Sequence, residues 1–216
     1  MTDVTTMPKV EEITALFTRA DGSYRFARWG RPIVPVVFGV DAATLAIVKG
    51  ATEAVVVLAN AKMAETDAEI GANLMIFFFR DWQELLEVPN LDQMIDGLSD
   101  IVARLDDAGA NQFRTFRFDD AGAIRACFSF IRMDAALDEV PAETIALNQA
   151  VQMILTWGER AFSAQPPLAE AKGVAVIRPE IAAVIRAAYD PVMPAVATDA
   201  SHALRLSARI GFGGAA

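Results

Sequence analysis

The chain is short of the residues that chemistry at a protein centre most often uses. Its 216 residues include one cysteine, Cys127, and one histidine, His202. A single cysteine excludes an internal disulfide, and nothing around it forms a CxxC pair or a Cys/His zinc cluster. Within its apolar run it reads as a small buried residue on a strand. A single histidine excludes any multi-histidine metal site, and alone it reads as a surface side chain, with a pH switch as the other reading. Base is scarce as well: 19 Lys and Arg against 28 Asp and Glu leave a net charge of -9. Recognition of phosphate needs a basic face, so no nucleic acid and no anionic membrane surface is expected as the main partner.

A long apolar run free of charge is also missing. The nearest approach, Ala42 to Ala61, has Lys49, Gly50 and Glu53 in its middle. Charge at a bilayer centre is costly, so this reads as a buried helix, not a membrane span. Met1 to Glu12 has neither a basic n-region nor an apolar h-region. No secretory signal is expected on that basis, and the cytoplasm is the default location, with the periplasm open if the start is incomplete. With 54% hydrophobic and 22% charged residues, the chain can bury one substantial core, and a single domain over 1-216 is expected.

Apolar spacing at Val10, Ile13, Leu16 and Phe17 predicts a helix from Lys9 to Arg19, closed by the turn Ala20 to Ser23. An aromatic and basic connector, Tyr24 to Pro32, leads to a strand at Ile33 to Gly39, where Pro35 removes a ladder donor. Asp41 is placed to cap the helix Ala42 to Ala61, and Asn73 to Phe79 reads as a strand buried on both faces. Strand, helix and strand imply a right-handed parallel crossover. Helices are expected at Asp81 to Glu87 and Leu91 to Asp107, the second ended by Gly109. A hairpin follows: Gln112 to Phe118, the turn Asp119 to Gly122, and Ala123 to Met133. Pro141 opens a long amphipathic helix to Phe162, followed by a loop at Ser163 to Pro167. After it come a short apolar segment at Val174 to Ile177, helices at Pro179 to Tyr189 and Ala200 to Ile210, and a frayed glycine-rich tail. The tail lacks the lysine and following helix of a phosphate loop. The expected organisation is a helix and connector (1-30), an α/β half (31-140), a helical half (141-210) and the tail (211-216).

Inside the long helix, Asn148-Gln149-Ala150-Val151-Gln152 has the spacing of a zinc-peptidase His-Glu-x-x-His motif, with a neutral amide at each position that carries chemistry. Zinc wants imidazole, thiolate or carboxylate, and an amide oxygen is a poor substitute. Gln149 cannot act as general base, because an amide has no useful proton affinity near neutral pH. On a helical wheel Asn148, Gln152, Thr156 and Glu159 form one stripe. It is either a solvated face or a ligand-contacting one, since amides both donate and accept.

Four blocks in order carry a resemblance. They are Arg28-Trp29-Gly30-Arg31-Pro32-Ile33, Ala72-Asn73-Leu74-Met75-Ile76, Ala123-Ile124-Arg125-Ala126-Cys127 and Ala187-Ala188-Tyr189-Asp190-Pro191. Across residues 25 to 205 the chain resembles a proteobacterial family of zincin-like proteins of unknown function, many of them predicted lipoproteins. The resemblance implies an α+β, zincin-like fold. Its parts would be a small mixed sheet ending in a hairpin and backed by helices, then a long active-site-type helix, then a helical C-terminal half that closes the cleft. It implies a glutamate pair followed three residues later by glutamine on the long helix, where this chain has Asn148, Gln149 and Gln152. It also places Tyr189 and Asp190 near the cleft, although on the residues alone they read as a helix stop before Pro191.

Arg114 and Arg117 on the first hairpin strand read as edge charges that block unwanted pairing, or as part of a strand that receives an extended peptide. Trp29, with Arg28 and Arg31, reads as a cover on the end of the sheet. Three functional classes follow. The first is a non-catalytic zincin-like domain, a pseudo-metallopeptidase with no metal or other cofactor, binding a peptide, protein or small polar ligand through Asn148, Gln149, Gln152, Tyr189 and Asp190. The second is a metal-independent hydrolase using Glu143, Glu159 or Asp190 as paired acid and base. The third is a structural protein or homo-oligomer displaying an apolar patch.

Overall fold

The structure is a computed structural model and describes residues 7–213. Glu12 accepts the Lys9 amide at 2.8 Å at the start of helix α1 (Val10–Phe17), which buries Ile13 and Phe17. The chain turns through Gly22 and passes along β1 (Phe26–Ala27) to β2 (Pro35–Phe38). Pro35 is the first residue of an edge strand, the place where a missing donor costs least. Helix α2 (Ala42–Leu58) starts where Asp41 accepts the Thr44 amide at 2.7 Å, and it crosses over to β3 (Leu74–Phe79), parallel to β2. A 3₁₀ turn at Trp82–Glu87 and helices α3 (Leu91–Met94) and α4 (Leu98–Asp107) lead into the hairpin of β4 (Gln112–Phe118) and β5 (Ile124–Arg132). The strand order is β2-β3-β5-β4, with β3 and β5 parallel and β4 antiparallel at the edge.

The sheet has a packed layer on each face. Alternation along β3 sends Leu74, Ile76 and Phe78 to one side and Met75, Phe77 and Phe79 to the other. The second set, with Phe128 and Phe130, meets Trp82, Leu91, Ile95 and Val102 beneath the 3₁₀ turn, α3 and α4. The first set meets α2 and α6 (Ala142–Ile154), which pack against each other across the sheet. A short helix α5 (Ala135–Asp138), capped by Asp134, joins β5 to α6. Beyond α6 lie a hairpin of β6 (Leu168–Ala171) and β7 (Val174–Ile177), then α7 (Pro179–Ala188), β8 (Val196–Ala197) and α8 (Ser201–Gly213). β8 pairs antiparallel with β1, and α8 packs on α1 and α7, so the two ends of the chain share one layer.

The α+β class, the parallel crossover and the hairpin agree with the sequence expectations; four expectations do not. The helix expected over Leu91 to Asp107 is two helices, because Ile95 leaves α3 in an extended conformation and Gly97, at φ 68, takes the left-handed conformation from which α4 starts. The helix expected to reach Phe162 stops at Ile154. Leu155 is extended and bridges Arg28, Thr156 exchanges hydrogen bonds with Ala27, and Gly158 passes so close to Thr18 that a Cβ there would lie 2.3 Å from the Thr18 carbonyl oxygen. Tertiary pairing outweighs helical propensity there, and Thr156 and Glu159 leave the stripe they were assigned to. The helical half contains the β6-β7 hairpin, whose Lys172-Gly173 corner has φ 54 and φ 80, the signature of a type I′ turn. Lastly, α8 runs on to Gly213, so part of the expected frayed tail is helical; 214–216 lie outside the described residues. No helix among the described residues is long and apolar enough to cross a membrane.

Candidate functional site

Pleating decides what faces α6 from the edge strand. In the β4-β5 register Gln112, Arg114 and Phe116 stand opposite Ile131, Ser129 and Cys127, and the first two reach α6. Arg117, one face over, instead donates to the Met94 carbonyl at 2.7 Å. Arg114 therefore points inward, against the expectation that it is an edge charge.

The amide positions of α6 meet Arg114 there. Its Nη2 donates to Gln149 Oε1 at 2.9 Å and its Nη1 to Gln152 Oε1 at 3.1 Å. Ser129 Oγ donates to Gln149 Oε1 at 3.1 Å, and Gln149 Nε2 donates to Gln112 Oε1 at 2.7 Å. One turn back along the helix, Gln152 Nε2 donates to Asn148 Oδ1 at 3.1 Å. Gln149 is only 1% exposed, so it is not part of a solvated face; Asn148 and Gln152 are half-buried.

The network is electrostatically lopsided. A guanidinium has five donors and no acceptor, and this one finds two amide oxygens and no carboxylate. Its Nε is buried without a partner. Burial pulls the Arg114 pKa downward, yet an arginine stays charged at any ordinary pH. Burial also pushes the Cys127 thiol up to about 12, with the Arg114 charge pulling weakly the other way. Cys127 is thus a protonated, inert packing group, as its sequence context suggests.

A cavity opens on either side of the network. One, of about 520 Å³, lies between α5, α6, the end of β4 and the β6-β7 hairpin; its polar groups include Gln112, Thr144 and Asn148 among Leu137, Ile145 and Leu168. The other, of about 390 Å³, is lined by Arg114, Gln152, Trp157, Phe162 and Glu159 among others. Glu159 accepts from Arg19 Nη1 at 3.1 Å and from the Ala20 amide at 2.9 Å, so its charge is already matched.

The carboxyl end of α6 is built differently. Its last carbonyls end inside the protein and need partners. Trp157 Nε1 donates to Val151 O, Trp29 Nε1 to Met153 O and Tyr189 Oη to Ile154 O, each at 2.9 Å. The Trp29 amide donates in turn to Tyr189 Oη at 3.3 Å. Burial raises the Tyr189 pKa well above its ordinary value, and Arg28 lies 5.2 Å over its ring. Tyr189 is a capping group whose hydroxyl has both its bonds filled by main chain.

The structure therefore brings Asn148, Gln149 and Gln152 together and adds Gln112, Arg114 and Ser129, while Tyr189 and Asp190 stand apart. Asp190 accepts the Val192 amide at 3.0 Å and pairs with Arg209, and these contacts hold its carboxyl below the usual carboxylate range. Glu143 and Glu159 flank opposite ends of α6, so the carboxylates named as acid and base do not converge. Among the described residues, no three His, Cys, Asp or Glu side chains gather as a metal-binding group. Gln112 and the inward turn of Arg114 escaped the sequence reading, although the period of two along Gln112 to Phe118 places Gln112, Arg114 and Phe116 on one face.

No family model, curated protein or solved structure matches this chain. The four blocks behind the zincin resemblance have a common location nonetheless. Ile124 exchanges backbone hydrogen bonds with Arg28 and Gly30, Asn73 accepts the Val34 amide and donates to Pro32 O, and Tyr189 receives Trp29. All four meet at one joint that holds the sheet's end to the end of α6.

Proposed function

We propose that the protein is a non-catalytic zincin-like domain that binds a peptide, protein or small polar ligand in the cleft formed by α6, β4 and the β6-β7 hairpin. Support for the zincin-like arrangement comes from the order of elements: a parallel crossover, a hairpin with an antiparallel edge strand, then a helix laid across the sheet with its amide pentad toward that edge. Support for the loss of catalysis comes from Arg114. In a His-Glu-x-x-His site the side chains at the first and fifth positions aim lone pairs at a dication. Here Gln152 at the fifth position and Gln149 at the second, where the general base would stand, spend their oxygens on a fixed cation, and Asn148 at the first spends its oxygen on Gln152. At an effective dielectric of about 20, two unit charges about 4 Å apart repel by about 4 kcal/mol, and a dication doubles that. The guanidinium does not supply a nucleophile or a base, but it leaves polar groups and two cavities for a ligand.

The reading is tested by dialysing the purified protein against zinc and measuring metal content, alongside NMR of its side-chain amides during titration with a pool of short peptides. The expected result is zinc far below one equivalent and peptide-dependent shifts at Asn148, Gln149 and Gln152. One zinc per chain, or zinc-dependent peptide turnover, overturns it.

A further inference from the structure

The hydrogen-bond network has a direction, and the direction selects a ligand. Because a guanidinium only donates, Gln149 and Gln152 must both turn their oxygens toward Arg114. Their NH₂ groups then face away, and each must find an acceptor: Gln112 Oε1 for Gln149 and Asn148 Oδ1 for Gln152. Gln112 and Asn148 are in turn fixed with their oxygens inward and their NH₂ groups outward. Both residues line the same cavity of about 520 Å³, and neither Gln112 Nε2 nor Asn148 Nδ2 donates to another group among the described residues. The positive charge of Arg114 thus orients two amide arms that end in a pair of free donors lining one cavity. Leu137, Val140, Ile145 and Leu168 supply apolar surface in the same cavity.

We infer that this cavity takes a carboxylate carried on an apolar body, with the carboxylate on the NH₂ groups of Gln112 and Asn148 and the body between α6 and the β6-β7 hairpin. Two donors lining one cavity suit the two oxygens of a carboxylate. A cation with no carboxylate partner behind them favours an anion over a neutral carbonyl, since hydrogen bonds to charged groups are about twice as strong as neutral ones; Glu170 lines the same cavity from β6, but it is exposed and its charge is screened by solvent. A single cation suits a monoanion better than a phosphate dianion, the more so in a chain of net charge -9. The volume is within the range of about 300 to 1,000 Å³ usual for small-molecule sites. The inference rests on reading this cleft as a binding site and adds the class of ligand. A free organic acid and the C-terminus of a peptide share this chemistry.

The test is NMR of the full-length ¹⁵N-labelled protein, titrated separately with octanoate, octanamide, inorganic phosphate, and acetyl-Ala-Leu as its free acid and as its amide. Octanoate is expected to shift the side-chain NH₂ signals of Asn148 and Gln112, with octanamide binding at least about 10-fold more weakly, the ratio one charge-assisted hydrogen bond supplies. Saturation by the peptide acid at lower concentration than octanoate identifies a peptide terminus as the source, and the reverse order identifies a free acid. Arg114→Met is expected to erase the preference for acid over amide. Should that variant fail to fold, Ala175→Trp, which fills the cavity from β7 without touching the network, is expected to abolish binding with the rest of the spectrum retained. Equal binding of octanoate and octanamide overturns the inference while leaving the binding cleft standing. Stronger binding of phosphate overturns it too, as does octanoate binding that survives Ala175→Trp. If none of the probes moves Asn148 or Gln112, the carboxylate assignment is overturned, and the cleft is then judged by the peptide pool and zinc measurements alone.

Discussion

At the carboxyl end of α6 three aromatic donors each meet one carbonyl, whereas on the face turned to β4 a guanidinium meets only amide oxygens. Both regions are polar and enclosed, and both hold the same helix to the rest of the molecule. They differ in whether the polar groups are closed on themselves. Trp29, Trp157 and Tyr189 end in main-chain partners and offer nothing further to a ligand. The amide network ends in two free NH₂ groups, a buried unpartnered Nε and two cavities. A buried polar cluster that is fully satisfied rigidifies a fold, and the amide network differs in keeping donors that its own side chains do not use. It also follows that the blocks carrying the zincin resemblance are evidence about architecture: they converge on the closed joint.

The sharpest way to break this comparison is to remove a piece of the joint. Trp29→Ala deletes a buried indole and its bond to Met153 O, and a loss of about 3–5 kcal/mol is expected from urea unfolding. A loss below about 1 kcal/mol would mean that the joint does not hold α6 in place.

Acid separates the two regions from the rest of the molecule, because neither titrates between neutral pH and pH 4. Tyr189 stays neutral and Arg114 stays charged, but His202 does not stay as it is. Contrary to the surface position expected of it, His202 is 3% exposed, with Nδ1 2.8 Å from Tyr24 Oη, Phe26 against its ring and Nε2 without a partner. Burial, helped by the nearby charge of Arg205, depresses its pKa from 6.5 to about 4. The unfolded chain therefore binds a proton below pH 6.5 that the folded chain refuses until about pH 4. Stability is complete above the unfolded value and falls as pH drops through this window, by up to about 3 kcal/mol at about 1.4 kcal/mol per unit. Denaturant midpoints at pH 7 and pH 4.5 measure the fall, and His202→Gln is expected to flatten it. A midpoint that drops equally in the variant would assign the acid sensitivity to carboxylates instead.

Most of the sheet was legible in the sequence because its signals are local: the apolar run Leu74 to Phe79, the Asp41 cap and the Asp-Asp-Ala-Gly turn each depend on a few neighbouring residues. The end of α6 was not. Nothing between Ile154 and Gly158 forbids a helix, and only Ala27, Leu16 and Arg28, more than a hundred residues earlier, decide that the backbone is extended there. His202 was misplaced for the same reason, since its cover comes from Tyr24 and Phe26 at the other end of the chain. In the candidate site the amides were visible as a departure from a spacing. The cation that gives them meaning lay on a strand whose inward face no local pattern announces: Gln112 to Phe118 is half-buried along nearly its whole length.

The smallest effect is the most informative about the network, because deleting the charge and deleting its partner are not equivalent. Gln149→Leu leaves Arg114 buried with one amide oxygen fewer and strips Ser129 of its acceptor, and a cost of about 2–3 kcal/mol is expected. Arg114→Met removes the charge itself and fills its space with an apolar chain. The amides left behind are neutral: Gln152 borders the smaller cavity, where water can take up its bond, and the buried Gln149 oxygen keeps the Ser129 hydroxyl, so the expected change is within about 1 kcal/mol of zero. Both are read from chemical denaturation at pH 7, and the order matters more than the sizes. If Arg114→Met proves the costlier of the two, the guanidinium is a structural tie like the aromatic donors. If it is the cheaper, the protein carries beside a cavity a buried cation that its own stability does not require.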